Sequence, residues 1–326
     1  MFFGKKKRQV SLVYNDFALK VLASSSNDLA HAEVHSIPLD EGIVVDGIIE
    51  DELAFFELLK DHVKNWGIKG QNVSFYVPES TVMMKAIEHP QELEDVVSIK
   101  QYVEMEIGRT IHLPFENPLI DIYDAKQGDG KATIFATNAE EVQKVVGLLT
   151  DAGLTPVVAD IKVISLIRLV NLLLPNLVNT TTLLANWSIN ELSLVIYSFG
   201  EVEFLRFQTI ETERSKWQSR YTEDDFDYFY NDEISQYQNA LFEPLAEIER
   251  IINFYQYSLN KGEKGVDQIV VLGDSPELEY IAEMIESQVT LPVHVLTDQV
   301  MEEEFPNFKA SQASLISLAL KEVVKA

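Results

Sequence analysis

Apolar and polar positions follow the same order twice along the chain. In the first stretch Val10 to Tyr14 and Ala18 to Leu22 read as strands joined by an Asn15-Asp16 turn, and Ala32 to Leu39 reads as a third extended segment. Leu53, Phe56, Leu59, Val63 and Trp66 then recur at helical spacing until Gly67, and Val73 to Val77 is a short apolar run of buried-strand type. In the second stretch Thr182–Asn186, Leu192–Tyr197 and Val202–Phe207 are strands separated by turns near Ser188-Ile189-Asn190 and at Phe199-Gly200. A helix over Pro244–Leu259 and a strand over Gln268–Leu272 complete the repeat. Each copy is a three-strand meander, a helix and a further strand. Such a duplication predicts two α/β halves facing each other across a cleft.

Between the copies, Met83 to Val157 reads as an inserted α+β subdomain. Its parts are a strand (Val82–Ile87), a helix (Leu93–Ile107), strands at Leu119–Tyr123 and Ala132–Ala136, a helix (Ala139–Ala152) capped by Asn138, and a last strand at Thr155–Val158. The predicted organisation is therefore residues 1–82 and 158–181 as the first half, 83–157 as the insert, and 182–326 as the second half. A small polar, acidic insert falls at about 210–242.

Composition narrows the function. The 326 residues carry 26 Lys+Arg against 52 Asp+Glu, a formal net charge of −26, which disfavours nucleic acid as a ligand because the chain has little to neutralise phosphates with. The absence of cysteine removes disulfides, thiolate metal sites and a Cys nucleophile. The apolar stretch Val157–Val178 is broken by Asp160, Lys162, Arg168 and Asn171, so it does not read as a membrane span. The start, Met1 to Arg8, has a basic run but no apolar region after it, and does not read as a secretory leader. These features together predict a soluble, cytoplasmic protein.

With this architecture the residues resemble the PilM family of type IV pilus assembly proteins, which are actin-like and FtsA-related. The similarity runs over almost the whole chain. It rests on the Phe2-Phe3-Gly4-Lys5-Lys6-Lys7 start, Val45-Asp46-Gly47 with Ile49, Asp151-Ala-Gly-Leu-Thr-Pro156 with Val158-Ala-Asp160, Leu245-Ala-Glu-Ile-Glu-Arg250 with Phe254-Tyr255, and Ala313 to Lys321. The resemblance implies an actin-like (ribonuclease H-like) duplicated fold. It also implies a place at the inner face of the cytoplasmic membrane, and a partner: the N-terminal cytoplasmic peptide of a bitopic, PilN-like membrane protein. Other pilus platform or motor proteins are further possible partners of such a chain.

The departures from the family fall on the nucleotide loops. Actin-like ATPases approach phosphates with glycine-rich hairpins and position a metal with an Asp. At the corresponding positions this chain has Ser11 and Asn15 for glycines and Val13 for the Asp, with Lys20 kept. The second hairpin reads Asn186-Trp187-Ser188, with Gly200 and Arg206 retained beyond it, and the third loop reads Leu272-Gly273-Asp274-Ser275-Pro276. Ser275 is expected to cap the next helix with Pro276 at its first position, putting Asp274, Glu277 and Glu279 where they repel a triphosphate. The expectation is a pseudo-ATPase with no cofactor, residual ATP binding being unlikely. The alternatives are an active actin-like ATPase and an FtsA-like filament-forming tether.

Other candidates complete the reading. Glu247 and Arg250 match a helix that lies near adenosine in nucleotide-binding relatives, or else form an ordinary surface pair. Val82, Met84, Val97, Ile99, Tyr102 and Val103 are candidates for a partner-peptide groove, or else subdomain core. Lys5, Lys6, Lys7 and Arg8, with Phe2 and Phe3, suit weak binding to anionic lipid, or a solvated leader. Thr222–Glu233 mixes six acids with four aromatics and reads as a solvated loop or short helix, or as a docking surface for a basic partner. His31, His35, His62, His89, His112 and His294 are scattered, and no metal site is expected.

Overall fold

The computed structural model describes residues 8–25, 28–222 and 225–321. Lys5, Lys6 and Lys7 lie outside them. The chain opens with strands β1 (Gln9–Tyr14), β2 (Ala18–Ser25) and β3 (Asp28–Pro38), a two-residue hairpin β4 (Val44–Val45) and β5 (Ile48–Ile49), helix α1 (Glu52–Asn65) and strand β6 (Asn72–Tyr76). Next come β7 (Met83–Glu88), α2 (Val96–Glu106), β8 (Pro118–Tyr123), β9 (Lys131–Asn138), α3 (Ala139–Asp151), β10 (Thr155–Asp160) and α4 (Lys162–Leu173). The second meander is β11 (Thr181–Trp187), β12 (Glu191–Ser198) and β13 (Glu201–Thr209), followed by the hairpin β14 (Trp217–Tyr221) and β15 (Phe226–Tyr230). Helices α5 (Ile234–Ala240) and α6 (Phe242–Asn253) run into a π-helical turn at Phe254–Leu259. The remaining elements are β16 (Gln268–Gly273), α7 (Leu278–Gln288), β17 (Val293–Val295), α8 (Asp298–Glu304) and α9 (Ala313–Ala319).

The duplication is visible in the strand order. One sheet runs β3-β2-β1-β6-β10 and the other β13-β12-β11-β16-β17. In both, an antiparallel meander continues into two parallel strands. This is an actin-like arrangement: the sheets and helices form five layers, with a helical layer shared between the two sheets.

Periodicity explains the layers. In α1, capped by the Asp51 side chain on the Ala54 amide, Phe55, Leu59 and Val63 form a buried stripe. Together with Val142, Val145 and Leu149 of α3 they pack on Leu12, Leu19 and Val21 of the first sheet. On the far side, Ile248 and Ile281 of α6 and α7 cover Leu183 and Trp187 of the second sheet. Between the sheets, Leu166 and Val170 of α4 and Leu315 and Ile316 of α9 share a core with Leu22 of one sheet and Leu184 and Val270 of the other. All eight residues of β12 are buried because both faces of its sheet are covered.

Several boundaries differ from the sequence reading. Helix α3 and strand β10 were assigned to the insert, but α3 packs in the first sheet's core and β10 pairs in parallel with β6. Amphipathicity declares a helix without declaring which sheet it covers. The separate insert is thus the sheet β7-β9-β8 with α2, around Ile99, Val103, Ile120 and Ile134. Helix α4 belongs to the shared layer, and so does α9, which places residues of the nominal second half against the first sheet: Tyr76 Oη lies 2.8 Å from Ser317 Oγ and donates to Ser314 O at 2.8 Å. Of the acidic segment Thr222–Glu233, residues 223 and 224 lie outside the described residues, and Phe226–Tyr230 is strand β15, paired antiparallel with β14, where the sequence reading expected a loop or short helix. Helix α7 starts at Leu278, two residues later than a Pro276 start requires, and Ser275 Oγ accepts from the Glu277 amide at 3.4 Å.

Candidate functional site

The cleft between the halves is where the three loops singled out in the sequence meet. On the first hairpin, Asn15 Oδ1 accepts from the amides of Phe17 at 2.9 Å and Ala18 at 2.8 Å. Those donors, which in a phosphate-binding turn face the ligand, are taken by the residue's own side chain. Val13 packs against the shared core, and Ser11 is buried within β1.

The retained lysine has a new partner. Lys20 Nζ lies 2.9 Å from Asp274 Oδ2, and Ser188 Oγ donates to Asp274 Oδ1 at 2.6 Å. One carboxylate from the third loop therefore joins the first and second hairpins. Burial pushes the Asp274 carboxyl up, but Lys20 and Ser188 outweigh it and hold the group below the usual carboxylate range. Burial likewise pulls Lys20 down, and Asp274 reverses it, leaving the ammonium above its ordinary value.

Gly273 permits this placement. Its φ is +133°, and a Cβ there would sit 1.9 Å from Trp187 O, the atom that accepts from the amides of Asp274 at 3.0 Å and Ser275 at 3.1 Å. The remaining glycine of the third loop thus serves a close strand-to-strand approach. Asn186 is buried in β11.

A second set of links lies deeper. Asp16 accepts from the amides of Asp46 and Gly47, each at 2.9 Å, and from Asn190 Nδ2 of the other half at 2.6 Å. The Asp46-Gly47 turn supplies both amides because both residues have positive φ, +52° and +75°. Burial raises the Asp16 carboxyl despite these donors. Lys162 Nζ sits 2.7 Å from Glu79 of the first half and 3.3 Å from Glu191 of the second, while Ser193 Oγ donates to Glu79 at 3.0 Å. Burial drives the Glu191 carboxyl up to about 7, against the pull of Lys162. For Lys162 itself the two carboxyls overcome burial and raise it. Sequence reasoning missed Asp16, Glu79, Lys162 and Glu191 as site residues. The one signal was Lys162 itself, a charge interrupting an apolar run.

At the rim, Phe17 meets Trp217 and Tyr228 edge-on at 6.2 and 5.3 Å between centroids, and Arg214 lies 4.4 Å over the Phe17 ring. Tyr228 Oη donates to Phe17 O at 2.6 Å. The aromatics of the acidic hairpin thus clamp the first half's turn. They leave a cleft cavity of about 390 Å³, where Asp225, Asp227 and Asp274 outnumber Lys20 and Lys309.

The other predicted residues do not converge on the cleft. Glu247 bonds Arg206 at 3.0 Å and Arg250 at 2.8 Å, and Arg250 also bonds Glu243, so the pair belongs to a surface ion network outside the cavity's lining. Of the groove candidates, Ile99 and Val103 are core, Tyr102 packs on that core, and Val82 packs on the first half. Met84 pairs with Phe135 on the sheet face away from α2, and Val97 is 66% exposed. These six residues line no common groove. Arg8 pairs with Glu33 at 2.7 Å. Among the described residues no group of three or more His, Asp or Glu side chains is arranged to hold a metal, and no helix is long and apolar enough to cross a membrane.

Comparison with known proteins gives this geometry a context. The family profile described as type IV pilus assembly protein PilM matches residues 16–314. No curated protein sequence matches the chain. Among solved structures, the chain is similar to one described as a PilM-PilN type IV pilus biogenesis complex, with 17% identity, a TM-score of 0.74, and coverage of 97% of this chain and 98% of that one. It is also similar to MreB 5 of Spiroplasma citri bound to AMPPNP (10% identity, TM-score 0.51, 97% and 95% coverage). A further relative in fold is the ethanolamine utilization protein EutJ from Carboxydothermus hydrogenoformans (8% identity, TM-score 0.50, 96% and 89% coverage). At these identities the structures establish the fold, and the profile match over most of the chain establishes the family: the chain belongs to the type IV pilus assembly protein PilM family.

Proposed function

We propose that this family member is a non-catalytic scaffold. It would stand at the inner face of the cytoplasmic membrane, bind the N-terminal cytoplasmic peptide of a PilN-like bitopic protein, and link it to the motor side of a pilus or pseudopilus machine. The observation that carries the non-catalytic part is Asp274: its carboxylate engages Lys20 and Ser188 from opposite hairpins, the place where a nucleotide's phosphates would have to be held. An anion entering there has to displace a half-buried, ion-paired carboxylate and face Asp225 and Asp227. Val13 offers no oxygen to a metal or its water shell. The partner is carried by family membership and by the likeness to a complex that contains PilN.

Thermal denaturation with and without millimolar Mg-ATP tests the first claim. A ligand that binds the folded state raises the melting temperature by mass action, so the scaffold reading expects no shift. A concentration-dependent rise, with phosphate release, would replace it with the ATPase reading.

A further inference from the structure

A second pocket, of about 350 Å³, opens where the two halves face each other, and Phe17 lines it as well as the cleft cavity. The first half brings the Asp16-Phe17 turn and the β4–β5 hairpin, whose Val44 and Val45 form apolar wall. The second half brings Asn190 and the end of β13 with the residues after it, among them Ile210, Glu211 and Arg214. A concave site of this volume suits a small molecule.

Asn190 is satisfied at one end only. It is 9% exposed, and its Nδ2 donates to Asp16 Oδ2 at 2.6 Å. That bond fixes the amide's orientation, because the reverse would turn its oxygen on a carboxylate. Asp16 is itself pinned by the Asp46 and Gly47 amides. The other end of the amide, Oδ1, is buried and has no hydrogen-bond partner among the described residues. A buried acceptor left without a donor carries its full desolvation cost, which a ligand's N–H would remove.

The charge around this acceptor is negative. Glu41, Asp46 and Glu211 line the pocket at exposed positions, and none has an ion-pair partner among the described residues. Arg214, the cation among the lining residues, is engaged elsewhere: it donates to Leu39 O at 2.6 Å and Trp217 O at 3.3 Å and lies over the Phe17 ring. The carboxylates are not grouped as a metal's ligands would be. Their spread over a wide, partly apolar pocket fits a larger cation with several N–H donors.

We propose that this pocket binds a small organic cation, an ammonium or guanidinium, whose N–H donors reach Asn190 Oδ1 while Glu41, Asp46 and Glu211 surround its charge. Because the walls come from both halves, the bound cation ties them together and raises the melting temperature by mass action. The proposal goes beyond the scaffold reading and does not depend on the identity of the protein partner.

The probe is agmatine, which carries both cationic groups, titrated calorimetrically into the full chain at fixed ionic strength, with sodium and magnesium chlorides as controls. Saturable, equimolar binding and a matching rise in melting temperature are expected. Glu41→Gln combined with Glu211→Gln alters exposed side chains only, and should weaken binding about fivefold or more, by a factor that shrinks as salt is added. Asn190→Ala removes the buried acceptor and should weaken binding about tenfold by a factor that salt leaves unchanged. No saturable heat up to about 10 mM agmatine would overturn the proposal. So would binding that both variants leave within about twofold, or that magnesium displaces at equal ionic strength as well as agmatine does, since either marks a diffuse attraction for any cation.

Discussion

Replacing Asp274 with alanine removes a carboxylate that two hairpins share. The side chains of Lys20 and Asp274 are 16% and 23% exposed, so the variant leaves an ammonium largely out of water without its counter-ion, and the Ser188 hydroxyl without its acceptor. Removing one member of a buried pair costs roughly 3–5 kcal/mol, and the residual exposure puts this case at about 3 kcal/mol. At about 2 °C per kcal/mol for a chain of this size, the melting temperature falls by about 6 °C. The informative comparison is a cycle of Asp274→Ala, Lys20→Met and the double variant, followed by thermal and denaturant unfolding. With both charges gone no charge is left unpaired and only the Ser188 hydroxyl still lacks its acceptor, so the double variant should recover most of the loss and return to within about 1–2 kcal/mol of the parent. Acid should act in the same direction as Asp274→Ala. A carboxyl held below its ordinary 3.8 contributes stability above that value and loses it as pH falls through the folded one. If Asp274→Ala costs less than about 1 kcal/mol, or the two single losses simply add, the carboxylate is not the link between the hairpins.

Glu191→Gln tests the deeper cluster through pH. A carboxyl raised from 4.5 to about 7 in the folded state stabilises most below 4.5, and that contribution is lost as pH rises through about 7. The parent should therefore lose relative stability between those values and the variant should not. Parallel melts across the interval decide it, and identical slopes refute the assignment. Gly273→Ala forces a Cβ to within 1.9 Å of a backbone oxygen. It should cost more than about 4 kcal/mol or prevent folding, and a melting temperature within 2 °C of the parent would show that the β11–β16 approach is not tight.

The meanders were legible because alternation at period two and turn residues such as Asn15-Asp16 and Phe199-Gly200 are local signals. The expectation that Asn15 and Ser188 do not suit a phosphate loop came from setting them against the family's pattern. The Lys20–Asp274 pair was not legible. Lys20 and Asp274 are 254 residues apart, and each alone reads as a surface charge. The sequence reading cast Asp274 as a repulsive charge at a helix start, whereas in the fold it is a ligand for Lys20. Assigning Ile99 and Val103 to a groove failed because an apolar stripe on a short helix serves equally well as subdomain core, and only the β7-β9-β8 sheet beneath it decides.

The shared helical layer has a consequence for synthesis. Tyr76 reaches its partner Ser317 across 241 residues of chain, and at about 5–20 residues per second a ribosome needs on the order of 10–50 s to make them. During that interval the inner face of the first sheet, with Leu22 on it, has left the ribosome before the α9 residues that help cover it exist. The nascent chain therefore waits with an uncovered apolar sheet, a natural client for a holding chaperone. Copies terminated before residue 313 would keep that face exposed and be open to degradation.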